Sequence, residues 1–282
     1  MQQAEGPGQE LTHLVEDIGQ TDTLAAAAAN NVLEGDAATT DSFTATTRLS
    51  NTCAISDKVP RVTGTNEAVR KAGRGSSMDY QVAKRALELK RDMETNLVGV
   101  NTAEVTGGAT TARITGSLSC WLETNTSNGT GGSDGSAGNS THTDGTQRAL
   151  TESLFQTVLQ SIWTAGGDAD CVMAGAFNRR KMSTFTGNAT REVMAESGKL
   201  HASVSYYESD WGMLEIIPNR FSRSRDVYIL QKDMFSVAYL RPFQLSDLAK
   251  DGDSERKQLL AEYCLEVRNE ASSGAVWDLT TS

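Results

Sequence analysis

The chain has 282 residues, 38% apolar and 22% charged, with only four prolines, which suits one large globular domain or two ordinary ones and excludes a disordered chain. Its 36 acidic side chains outnumber the 26 basic ones for a net charge of −10, which opposes broad nucleic-acid binding because neutralising phosphates takes Lys and Arg. Cys53, Cys120, Cys171 and Cys264 form no CxxC pair and sit in or beside apolar runs, so reduced, buried thiols are expected instead of a zinc site or a disulfide scaffold. No basic-then-apolar leader is visible, and no run approaches the roughly 20 apolar residues of a membrane span. Folding in a reducing cytoplasm without a membrane partner is expected.

Residues 1–23 are polar apart from LTHLVEDI, whose Leu11, Leu14, Val15 and Ile18 follow helical spacing; they read as an arm with a docking face. Residues 24–58 are rich in Thr and Ala and carry turn signals at NN and EGD. With too little apolar surface for a core of its own, this segment reads as a long projecting hairpin that packs on another subunit.

Ser76 followed by Asp79 predicts a capped helix start. Val82, Ala86, Leu89, Met93 and Leu97 then recur at helical steps over 77–98, with Lys84/Glu88 and Lys90/Glu94 placed as i,i+4 pairs. TSNGTGGSDGSAGNSTHTDGT, residues 126–146, holds almost no large apolar side chain and reads as an exposed, mobile loop. A second helix starts at Thr151, stapled by Leu150 and Phe155, with Leu154, Val158, Leu159 and Ile162 as its face and Gly166 and Gly167 at its end.

CVMAGA, 171–176, reads as a short buried strand and SVSYYESDWGMLEII, 203–217, as a hairpin about Ser209 to Gly212. DVYILQ and FSVAYL are further strands. In QLLAEYCLEVRN, Leu259, Ala261, Tyr263, Leu265 and Val267 fall at two-residue spacing, which predicts a long strand. The class is α+β, with C-terminal strands returning onto the long early helix.

LAKDGDSERKQLL, 248–260, gathers Asp251, Asp253 and Glu255 about one glycine. A calcium loop of the EF-hand type needs oxygen ligands at its first, third and fifth positions, then glycine at the sixth. Counted from Asp247 the third position is Ala249; counted from Asp251 the glycine comes second. The glycines and lysine of a phosphate loop are also missing, so the stretch reads as a charged turn feeding a strand from 258. GTGGSDGSAGNS shares only composition with calcium-binding nonapeptides, and a single copy cannot build a stack of turns. The sequons at Asn125, Asn128, Asn139 and Asn188 have no secretory leader to give them meaning. His13, His142 and His201 are far apart in sequence, and no GxSxG elbow is present. NRRK, 178–181, reads as a solvated or interface face. No catalytic residue, cofactor site or metal ligand is expected.

Four stretches carry a resemblance: SNTCAISDKVPRVTGTNEAVRKAG, DYQVAKRALELKRDMETNLV, MAGAFNRRKMSTF and DVYILQKDMFSVAYLRPFQLSDLAKDGDSERKQLLAEYCLEVRNEASSGAVWDL. They resemble the major capsid (major head) proteins of tailed bacteriophages, over nearly the whole chain from residue 24 onward. The resemblance implies the Hong Kong 97 capsid fold: an arm (1–23), an extended hairpin loop (24–58), a peripheral domain (59–111, with a spine helix at 77–98), an axial domain (112–224) and a second peripheral part (225–282). It implies self-assembly through hexamers and pentamers into an icosahedral head that encloses double-stranded DNA as cargo without sequence-specific binding. Portal, scaffold and decoration proteins are the further partners it implies, with assembly in the bacterial host cytoplasm and a final place in the virion capsid.

Candidate subunit-interface residues are Leu33, Phe43 and Arg48 in the hairpin and Asp251, Asp253, Glu255, Arg256 and Lys257 in the charged turn. One departure is that the family pattern has a further stretch between IGQTDT and LAAAAAN, where Thr23 here runs directly into Leu24. Two rival readings are a secreted adhesin or surface-layer protein, favoured by the Thr/Ser/Gly loops, and an enzyme with an unrecognised hydrolase site.

Overall fold

A long helix and one long strand pair organise half of the molecule. The computed structural model describes residues 10–15, 34, 35, 37, 47–73, 75–185 and 206–282. In chain order the first elements are β1 (Glu10–Val15), β2 (Thr47–Thr52), β3 (Ala54–Lys58), β4 (Arg61–Thr63), the short α1 (Gly64–Ala68) and α2 (Ser77–Glu94). Ser76 caps α2 by accepting from the Asp79 amide, as predicted, and the helix runs on through a wider π turn at Thr95–Gly99. Its buried positions Leu89, Met93 and Leu97 are those of the predicted face. The two predicted i,i+4 pairs are not made: Glu88 is bound by Arg85 one turn back, and Glu94 accepts from Asn219 Nδ2 at 2.6 Å.

The helix lies on a sheet ordered β10-β11-β3, in which β10 is Phe235–Asp247 and β11 is Ser254–Val267, with β4 also paired to the start of β11. Leu259, Ala261, Tyr263, Leu265 and Val267 lie in the expected strand and are all buried, but so are Glu262, Cys264 and Glu266 between them, so from Ala261 on both faces of the strand are covered. The strand begins at Ser254, four residues before the expected start, because β4 supplies a partner for Ser254 to Arg256. Met93, Leu97, Tyr263 and Leu265 belong to one core cluster, so the return of the C-terminal strands onto the early helix is as expected.

The second sheet has six strands ordered β5-β12-β9-β6-β8-β7. These are β5 (Asn125–Ser127), β6 (Cys171–Ala174), β7 (Tyr206–Ser209), β8 (Gly212–Pro218), β9 (Val227–Leu230) and β12 (Gly274–Val276). Helix α3 (Glu152–Thr164), capped by Thr151, packs Phe155, Val158, Leu159 and Ile162 into its core, and α4 (Ala176–Met182) follows β6. The expected boundary at 224/225 does not follow the sheets. β9 and β12 lie beyond it in sequence yet form the middle of the six-stranded sheet, because each pairs with strands from the 112–224 region.

Two expectations at the N-terminal end are corrected. Glu10–Val15 is a strand, not a helix: it pairs antiparallel with β2, with Leu11 opposite Asn51 and His13 opposite Leu49. Six residues are too few to sustain a helix alone, whereas a neighbouring strand offers a ready ladder. The C-terminal part of the segment expected as a projecting hairpin, 24–58, also belongs to the body of the subunit, while most of 24–46 lies outside the described residues. Residues 51–54 are buried, Asn51 Nδ2 donates to the Leu265 carbonyl at 2.8 Å, and β3 is an integral strand beside β11. All four cysteines are free and buried, as expected.

The largest correction concerns residues 126–146. They form a compact lobe held to the six-stranded sheet, with cross-bridges Ser133 to Thr143 and Ser136 to Ser140. The glycines serve close packing: a Cβ on Gly132 or Gly145 would lie 2.5 or 2.8 Å from Asp278 Oδ2. Gly138 has φ +78, and a Cβ there would lie 2.7 Å from the indole of buried Trp121. Gly138→Ala therefore combines a left-handed backbone with a collision against a rigid ring, and it is expected to cost about 2 kcal/mol or more. Urea unfolding of the variant measures this; an unchanged midpoint would restore the mobile-loop reading.

Candidate assembly surface

The charged stretch is the turn joining β10 to β11. Gly252 takes φ +71, Leu248 N donates to the Arg256 carbonyl at 3.0 Å, and Ser254 Oγ donates to the Asp251 carbonyl at 3.2 Å. β4 braces the turn: Gly64 N donates to the Asp253 carbonyl at 3.1 Å and Arg61 Nε to Ser254 Oγ at 3.1 Å. Its charges meet only loosely within the chain, Arg256 to Asp251 at 3.9 Å, Lys250 to Glu255 at 3.7 Å and Lys257 to Asp247 at 3.3 Å. Solvated pairs of this kind contribute about 0–1 kcal/mol each. The turn is therefore fixed by backbone hydrogen bonds, by Ser254 and by Arg256 Nη2, which donates to the Ala249 carbonyl at 3.0 Å, while Asp251 and Glu255 are held only by weak ion pairs.

Strand β10 is an edge of its sheet, and the sequence reading did not single it out as a surface. It is 13 residues long, with Val237, Tyr239 and Leu245 exposed and register shifts on either side of Arg241. An edge strand presents a row of unpaired backbone groups, and a proline or a bulge keeps it from pairing indiscriminately. Pro242 was the available signal, since proline within a strand is confined to edges and bulges.

Beneath that edge sits Glu262, 4% exposed. Its carboxylate accepts from Arg241 Nε at 2.8 Å and Nη2 at 2.9 Å, and from Arg113 Nη2 at 2.8 Å. The Arg241 hydrogen bonds first, opposed by burial and helped by Arg113, hold its pKa below the usual carboxylate value. Glu262 thus ties β10 and β11 to the segment carrying Arg113.

Comparison with known proteins identifies the family. Residues 6–280 match the model of the SU10 major capsid protein family. The chain belongs to this family. Its capsid relatives include the major capsid protein of Escherichia phage Phieco32, 27% identical over an alignment that covers 92% of this chain and 84% of that one. Among solved structures it is similar to the Cyanophage A-1(L) capsid asymmetric unit, with TM-score 0.64 and 13% identity over 97% of this chain and 89% of the other. It is also similar to a Gordonia phage Cozz chain, with TM-score 0.60 and 10% identity over 98% and 82%. The fold of this major capsid protein is the α+β Hong Kong 97 capsid fold, and its function is that of a tailed-phage major capsid protein.

Of the candidate interface residues of the capsid protein, Asp251, Asp253 and Glu255 are exposed and Arg256 and Lys257 half-buried; the first two lie in the turn and the other three in the first residues of β11. Arg48 is exposed on β2, opposite Leu14 of β1, while Leu33 and Phe43 lie outside the described residues. Of the three histidines, His142 is 2% exposed, not part of a mobile loop; His13 lies in β1 and His201 outside the described residues.

A carboxylate with a lowered folded pKa binds fewer protons folded than unfolded across the interval between its two pKa values, so it stabilises fully above the unfolded value and loses that effect as pH falls through the folded one. Glu262→Gln is expected to cost about 3 kcal/mol at neutral pH by leaving two arginines without their carboxylate. The gap to the parent should narrow on acidification below about pH 4. Thermal unfolding across pH checks both; a pH-independent gap would mean that packing, not charge, is what the substitution removes.

Proposed function

We propose that this capsid protein assembles through hexamers and pentamers into an icosahedral head around double-stranded DNA. Family membership supplies the shell; the observation that carries the mode of contact is the exposed 13-residue edge strand β10 ending in a charged turn. The six-stranded sheet with its glycine-rich lobe is read as the axial domain, and the long-strand sheet with α2 as the peripheral domain. The arm and the hairpin tip reach neighbours, and the turn charges exchange their weak internal partners for a neighbour's. Each contact is modest, but several made at once hold a subunit as no single one could.

The net charge of −10 suits DNA carried as cargo, since a strongly basic wall would grip phosphates. The role is read as structural, not catalytic, and the adhesin and hydrolase alternatives gain nothing from the family match. Portal, scaffold and decoration proteins remain the expected further partners, with assembly in the host cytoplasm.

Electron microscopy of the purified protein tests this: uniform shells or capsomer patches are expected, and a monomer under all assembly conditions would overturn it. Asp251→Lys with Glu255→Lys should change monomer stability by no more than about 1 kcal/mol, because both side chains are exposed and each pair is weak. Shell yield should nevertheless fall several-fold, with the deficit shrinking in high salt as the charges are screened. Yields equal to the parent at low salt would remove the turn from the interface. Deleting residues 28–45, most of which lie outside the described residues, should leave a cooperatively folding subunit that fails to form shells; loss of soluble protein would make that segment internal instead.

A further inference from the structure

His142 poses a problem of polar satisfaction. It is 2% exposed, stacked on Trp277 with ring centroids 4.6 Å apart, and neither ring nitrogen has a hydrogen-bond partner. Buried polar atoms without partners are uncommon, and an ion or water is one regular explanation. The ring is aimed at carboxylates on both sides. Nε2 lies 3.9 Å from Asp144 Oδ1 and 3.9 Å from Asp278 Oδ2, and these three ligand atoms all fall within 4.8 Å of one another. Nδ1 lies 4.0 Å from Asp134 Oδ1, an atom already fixed by the Trp277 indole N–H at 2.9 Å.

We propose that His142 Nε2, Asp144 Oδ1 and Asp278 Oδ2 form a binding site for a divalent transition-metal ion of the Zn2+ class, with Asp134 orienting the imidazole from behind. One nitrogen and two carboxylate oxygens are a donor set that suits such an ion, and a carboxylate behind the second ring nitrogen is the usual outer support of a metal-bound histidine. Bonds of about 2.1 Å in a tetrahedron separate ligand atoms by about 3.4 Å, so the two 3.9 Å gaps to Nε2 close with shifts of about half an ångström, while the carboxylate oxygens, within 4.8 Å of each other, close with a side-chain movement of up to about 1.4 Å.

The carboxylates are held in place. Asp278 accepts from Gly129 N at 3.0 Å and Gly145 N at 2.8 Å, and Arg225 bridges Asp278 Oδ1 at 2.6 Å and Asp144 Oδ2 at 3.1 Å. Arg223 Nη2 also donates to Asp144, at 2.7 Å to the ligand oxygen Oδ1 itself and at 2.9 Å to Oδ2. An ionised carboxylate offers about four acceptor positions, so these arginines orient the ligands without exhausting them. Burial holds the His142 imidazole below its ordinary pKa, against the pull of Asp278 and Asp134.

The test uses the full chain, stripped with chelator and titrated with ZnCl2 by calorimetry, with bound metal counted by elemental analysis. Uptake of one ion per chain, with a raised thermal midpoint, is expected. His142→Phe keeps the stack on Trp277 but removes the nitrogen, and Asp144→Asn, at a partly exposed position, guards against a variant that fails to fold. Either should weaken Zn2+ binding at least tenfold and abolish the rise in midpoint on adding Zn2+, each variant being compared with its own chelated form. Absence of stoichiometric uptake, or uptake unaffected by both substitutions, would overturn the site and leave water as the partner of His142.

Discussion

The last strand of the chain divides its side chains between two cores, and most of the structure depends on that division. β12 lies between β5, which it pairs in parallel, and β9, which it pairs antiparallel. Ala275 and Trp277 enter the core shared with α2 and β11, while Val276 and Leu279 enter the core beneath α3. Strand geometry enforces this for Ala275 and Val276, since successive side chains point to opposite faces, and the left-handed Asp278 at φ +58 breaks the alternation so that Leu279, beyond the strand, joins Val276. Val276, Trp277 and Leu279 are each fully buried, and at about 1.5–3 kcal/mol per side chain they match a large part of a typical net stability of about 5–15 kcal/mol. Gly274 permits the approach: a Cβ there would lie 2.2 Å from the Asn125 carbonyl oxygen.

Charge is distributed along the same lines. Where polar groups are buried, around Asp278 and Glu262, they are held by several hydrogen bonds each and link segments 53 to 149 residues apart in sequence. Where they are exposed, in the turn between β10 and β11, the partners are adjacent in sequence and the separations long. Buried carboxylates without partners would be costly, so the first set is bound to the monomer fold. The second set contributes little to the monomer, and that frees it for contacts between subunits.

The elements legible in sequence were those whose information is local. The α2 face, the Thr151 cap, the hairpin about Ser209 to Gly212 and the alternation of Leu259 to Val267 each depend on residues within a few positions of one another. The arm piece Glu10–Val15 misled because its apolar spacing fits a helix, while the partner that makes it a strand lies near Asn51. The domain boundary misled for the same reason: β9 and β12 are short apolar runs whose sheet is chosen by β5 and β6, far away in sequence. Of the candidate interface, the turn was visible from its charges, whereas the exposure of β10 depends on the sheet order that leaves it at an edge.

The glycine-rich lobe shows why composition alone cannot separate mobility from close packing. A stretch with few apolar side chains cannot make a core of its own, and that inference about 126–146 holds. It fails to imply exposure, because the core is provided from elsewhere: Trp121 packs against Gly138, and Asp278 gathers the amides of Gly129 and Gly145. Asp278 itself sits at φ +58, a left-handed conformation that Asp tolerates better than most residues when its carboxylate is bound locally. The smallness that reads as flexibility in isolation is what allows backbone to approach a buried carboxylate from two sides. The groups that the lobe packs on, Trp121, Trp277 and Asp278, all lie outside 126–146 in sequence, and no window confined to the lobe contains them.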